Sequence, residues 1–83
     1  MATQGLFRIE NRSSSPVILY IEPEGAAFTL GDGEEVSVFD VFTKSPVTLR
    51  VSKSEDGNAC ISIWPGDGEV KVEKGGVNVF DLM

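Results

Sequence analysis

Histidine is absent from this chain, and cysteine, tryptophan and tyrosine occur once each. Without histidine there is no Ser-His or Cys-His nucleophilic pair and no imidazole ligand for a transition metal. Enzymatic chemistry is therefore not expected, and neither is a cofactor. The single Cys60 excludes an internal disulfide, so the chain must be held by packing alone, and a reducing compartment suits it.

Long apolar runs are also missing. No stretch approaches the roughly 18 residues a membrane-spanning helix needs, and Met1 to Gly5 has neither a basic nor an apolar leader segment. The expectation is a soluble, cytoplasmic protein with no membrane partner. Positive charge is scarce as well: seven basic residues stand against thirteen acidic ones, a net charge of −6. Such a surface repels a phosphate backbone over a Debye length of about 10 Å. Nucleic acid is not an expected partner; a protein with a basic surface, or a cation, is.

What remains is the composition of a small globular domain. Eighty-three residues with 41 % apolar and 24 % charged side chains make one domain with a thin core. Nine glycines and four prolines leave no room for a three-turn helix. Between them lie runs rich in Val, Ile, Phe and Leu, which predict strands at Leu6 to Asn11, Val17 to Glu22, Ala26 to Leu30, Glu35 to Phe42, Val47 to Lys53, Ala59 to Trp64, Glu69 to Lys74 and Val77 to Leu82. The regular turn spacing predicts an all-β fold, a small two-sheet sandwich or flattened barrel of seven or eight antiparallel strands.

Two registers follow from keeping apolar partners on one face. A three-residue loop at Glu55-Asp56-Gly57 sets Val51 opposite Ile61 and Leu49 opposite Ile63, with Gly57 left-handed; a two-residue loop would mix the faces. A Gly75-Gly76 turn pairs Val72 with Val79. Val17 to Ile21 and Val36 to Phe42 are apolar on both faces, which predicts central strands or strands covered by a loop or partner. A homodimer through such a strand is compatible with the sequence, as is a monomer.

The sequence also aligns with itself. At an offset of 42 residues, Phe7 to Pro23 lies on Leu49 to Pro65 without a gap, matching Arg8 with Arg50, Ile21 with Ile63 and Pro23 with Pro65. After a seven-residue deletion in the second copy, Gly31-Asp-Gly-Glu34 falls on Gly66-Asp-Gly-Glu69. The repeat predicts two hairpins related by a pseudo-two-fold, with Ile9 opposite Leu19 and Phe7 opposite Ile21 in the first.

Candidate contact residues are few. Glu22 and Glu24 flank Pro23, with Tyr20 on the same side of the extended segment; an enzyme reading would need these in a concave acidic pocket. Asp32, Glu34, Asp67 and Glu69 in the two acidic turns offer oxygen ligands, which makes a calcium or small-ligand site the rival reading, although neither turn has the ligand spacing of a dedicated calcium loop. Trp64 shares a strand face with Ser62 and Cys60, opposite Ile61 and Ile63, and so is expected on the outer surface.

Ile9-Glu-Asn11, Pro16 to Gly25, Leu30, Gly33-Glu34 and Val36, with Ile61-Ser-Ile-Trp-Pro65, Gly68, Val70 and Val72 later, resemble the pattern of small uncharacterised bacterial β-sandwich proteins. In that pattern an Asn precedes an apolar strand ending in Glu-Pro and a Gly, followed by Leu-x-x-Gly-Glu; Glu24 stands here where Trp is frequent. The resemblance implies a compact β-sandwich and brings no catalytic residues. The leading expectation is thus a non-enzymatic interaction module contacting a basic protein surface through the acidic turns or a face carrying Tyr20 and Trp64.

Overall fold

A computed structural model describes residues 2–82. It contains eight strands: β1 Thr3–Glu10, β2 Val17–Ile21, β3 Ala26–Leu30, β4 Glu35–Phe42, β5 Thr48–Lys53, β6 Ala59–Trp64, β7 Glu69–Lys74 and β8 Val77–Asn78, the last running into a 3₁₀ turn at Val79–Leu82. They form two four-stranded sheets, ordered β1-β4-β7-β8 and β3-β2-β6-β5, which stack as an open sandwich rather than a closed barrel. The inner faces meet in a core of Val17, Leu19, Ile21, Leu30, Val36, Val38, Ile63, Val72 and Val79. Phe7, Ile9, Phe28 and Ile61 pack around its margin.

The two strands apolar on both faces, β2 and β4, are each central in their sheet. The tight hairpins keep the expected registers. Val51 pairs with Ile61 and Leu49 with Ile63. Ser54 closes the loop by donating its N–H to the Asn58 carbonyl (2.8 Å), while its own carbonyl accepts from the Gly57 N–H (3.0 Å). Gly57 takes φ +86°, a conformation a side chain would resist, so the three-residue loop needs its glycine. Glu73 faces Asn78 across the Gly75-Gly76 turn, the register that sets Val72 against Val79. The last strand is shorter than its apolar pattern predicts: Asn78 Oδ1 accepts the Phe80 N–H at 2.9 Å, and the chain curls into the 3₁₀ turn.

The first predicted hairpin does not form. β1 pairs along its whole length with β4, and β2 pairs with β3, so Ile9 faces Val36 and Phe7 faces Val38 rather than Leu19 and Ile21. The cause is Asn11, buried at 3 % exposure. Its Nδ2 donates to the carbonyls of Ser15 (2.7 Å) and Leu30 (2.9 Å), and its Oδ1 accepts from the N–H (3.0 Å) and hydroxyl (2.6 Å) of Ser13. Its own N–H donates to Glu34 and its carbonyl accepts from Gly33. This network makes residues 11–16 a crossing from one sheet to the other.

β2 and β6 are neighbours that run parallel, a departure from the all-antiparallel expectation. Ile18 faces Cys60, Leu19 faces Ile61, Tyr20 faces Ser62 and Ile21 faces Ile63. Each pair is one that the sequence self-alignment superposes. A two-fold between the halves does not fit, because β1 and β5 lie in different sheets whereas β2 and β6 share one. Of the eight residues that symmetry would bring to the core, Leu49 and Val51 stay out, at 40 % and 72 % exposure on edge strand β5.

Candidate functional site

The two Gly-Asp-Gly-Glu turns share a sequence but not a geometry. In the first, Asp32 accepts from the Ser14 N–H at 3.2 Å, and Glu34 accepts from the Gly31 N–H and pairs with Lys74. Lys74, whose Nζ also lies 6.0 Å from the Phe28 ring, holds the Glu34 carboxyl below its ordinary 4.5, with the Gly31 N–H second.

In the second turn Asp67 is a clamp. Its carboxylate accepts the backbone N–H groups of Thr43 (2.8 Å), Lys44 (2.8 Å) and Ser45 (3.2 Å), and its own N–H donates to Ser45 at 3.0 Å. These donors hold its carboxyl below the ordinary 3.8. Gly68 lies so close to the end of β4 that a Cβ there would stand 1.7 Å from the Val41 carbonyl oxygen. Here glycine is required by close approach of two backbones, and the clamp fixes the crossing from β4 to β5, residues 43–47.

Asp40 completes that crossing. It occupies the inner face of β4, paired with Gly5 on one side and Val70 on the other, and is 4 % exposed. One carboxylate oxygen, Oδ2, accepts the Val47 N–H at 2.9 Å; Oδ1 is buried and has no partner. The phase of Val36 and Val38 already put residue 40 on the core face, yet sequence reasoning passed it over.

Asp32 and Glu34 therefore lie at the Lys74 end of β7, and Asp67 and Glu69 at the other, the full length of a strand apart. Among the described residues, no three acidic or cysteine side chains come together as a metal-holding group.

What does come together is Glu22, Glu24 and Glu69. They line a recess of about 280 Å³ at one end of the sandwich. Its apolar lining is Ile21, Ile63, Val70 and Phe80, and Pro23 and Pro65 stand at its sides. Each component has a local cause. The Glu22 N–H donates to Ile63 at 3.0 Å, extending the parallel β2–β6 ladder so that both strand ends stop together. The Glu22–Pro23 peptide is cis, and the Gly25 N–H returns to Ile21 at 3.0 Å. The 3₁₀ turn brings Phe80 to the recess. Among the described residues no salt bridge involves Glu22, Glu24 or Glu69, whereas Glu10, Glu34, Glu35 and Glu73 are all paired.

Trp64 follows Ile63 out of the same strand end and is 36 % exposed on the outer face, as its register requires. The Arg50 guanidinium lies 5.9 Å from its ring centroid. Tyr20 is half-buried in the same outer face, between Ala27 and Ser62, and does not line the recess. A second, larger hollow of about 590 Å³ lies on the outer face of the other sheet around Leu6, Phe39 and Val41. Lys71 covers the Phe39 ring there at 4.9 Å. Sequence reasoning named Glu22 and Glu24 as a pair and Glu69 apart from them, in the second acidic turn. It missed Phe80, because the Asn78 turn that redirects it interrupts an apparently continuous strand.

Compared with known proteins, the chain matches no family model, no curated protein and no solved structure. Among the described residues no helix is long and apolar enough to cross a membrane.

Proposed function

We propose that this domain is a non-enzymatic interaction module that receives a lysine or arginine side chain of a partner protein in the recess bounded by Glu22, Glu24 and Glu69. The observation that carries the reading is three carboxylates that, among the described residues, have no cation partner, set around an apolar floor. A guanidinium or ammonium group on an alkyl stem suits both parts, since the stem packs on Ile21, Val70 and Phe80 while its head meets the rim. The net charge of −6 draws basic partners and disfavours nucleic acid. A free, buried Cys60 fits a reducing location such as the cytoplasm. The turn pattern shared with small bacterial β-sandwich proteins is in keeping with a compact scaffold of this kind.

Titration with a short arginine-rich peptide, followed by the fluorescence of Trp64, tests the reading. The expected result is a saturable change that weakens between about 0.1 M and 1 M salt, as the Debye length shrinks from about 10 Å to about 3 Å. It is lost in the triple variant Glu22→Gln, Glu24→Gln, Glu69→Gln and retained in Glu55→Gln. An equal response to an acidic peptide, or none to the basic one, overturns it.

A further inference from the structure

β5 is an edge strand, paired only with β6, and all six of its residues are exposed. Two of them are out of place. Leu49 and Val51 lie on the inner face of their sheet, opposite Ile63 and Ile61, which pack into or against the core; yet they are left 40 % and 72 % exposed. The backbone has a matching deficit. Ser54 directs its N–H and carbonyl toward the β6 side, so by antiparallel alternation Ser52, Arg50 and Thr48 do too. Leu49, Val51 and Lys53 therefore turn their N–H and carbonyl groups to the open edge.

We infer that this edge is a self-association surface: a second copy of the chain adds its own β5 antiparallel, about a two-fold axis through Val51. The register is chosen by charge and by hydrogen bonding. Centred on Val51, the pairing sets Val51 against itself and Leu49 against Lys53, and all three edge-facing residues of both copies find backbone partners. Arg50 then faces Ser52, so no like charges are opposed. Centring on Arg50 would oppose two guanidinium groups. Centring on Leu49 would require the Val47 N–H, which is already donated to Asp40 Oδ2. The dimer merges two sheets into one of eight strands, and each Val51 covers the other.

Sedimentation equilibrium of the wild-type chain is expected to reach twice the monomer mass as concentration rises, and Val51→Lys is expected to return it to monomer. Val51 is exposed in the single chain, so its replacement leaves the fold intact by circular dichroism. The register is read independently with single cysteines in a Cys60→Ala background. Val51→Cys, on the axis, forms an intermolecular disulfide, because directly paired Cα atoms lie about 5.5 Å apart. Leu49→Cys does not, since its own copy sits four residues away along the partner strand. A monomer at millimolar concentration, or disulfide formation as fast at position 49 as at 51, overturns the inference.

Discussion

Asn11 and Asp67 each hold a crossing between sheets with one side chain. Asn11 is buried and uses both donors and its acceptor on residues 13, 15 and 30. Asn11→Ala leaves the Leu30 carbonyl without that donor and is expected to cost about 3 kcal/mol in urea unfolding. Asp67 acts as a charge, and its effect is therefore read in pH. Its folded carboxyl, like those of Glu34 beside Lys74 and Asp56 beside Ser54 and the Asn58 N–H, titrates below its ordinary value. Each group stabilises the fold above its unfolded value, 3.8 for the aspartates and 4.5 for Glu34. That contribution is lost as pH falls through the lower folded value. Melting temperature is accordingly expected to drop in this acid window, and Asp67→Asn to lower the melting temperature at neutral pH while flattening the acid drop. Neither role was legible in the sequence, where Asn11 ends the first predicted strand, Asp67 reads as one oxygen ligand of an acidic turn, and their partners lie up to 24 residues away.

All eight strands were legible, but their pairing only at two tight hairpins. Alternation and a glycine at the left-handed position were enough to fix the β5–β6 and β7–β8 registers, because a tight loop permits few pairings. The β1–β4 and β2–β6 pairings are set by tertiary contact across long separations, which local pattern does not carry. Nor does pattern reveal that one strand overhangs: Leu49 and Val51 alternate like any core strand, but the facing sheet does not cover them. Leu19, fully buried, and Val51, 72 % exposed, separate these two situations. At dilute concentration Leu19→Ala is expected to cost about 3 kcal/mol, and Val51→Ala no more than about 0.5 kcal/mol. Denaturant midpoints at constant slope check both values.

For the molecule as a whole, two acidic features that look equivalent in sequence have been assigned different work. One Gly-Asp-Gly-Glu turn is spent on Ser14, Gly31 and Lys74; the other splits, with Asp67 clamping a crossing and Glu69 released to the recess beside Glu22 and Glu24. The candidate site is thus an outcome of topology: the parallel β2 and β6 end together, and β7 and the terminal 3₁₀ turn close over that end. Amide chemical-shift mapping during titration with an arginine-rich peptide tests this most directly. The account predicts shifts concentrated at Glu22, Glu24, Glu69 and Phe80, absent in the triple glutamine variant. Shifts centred instead on Leu6 and Phe39 of the opposite sheet, or on Asp32 and Glu34 at the far end, would contradict it.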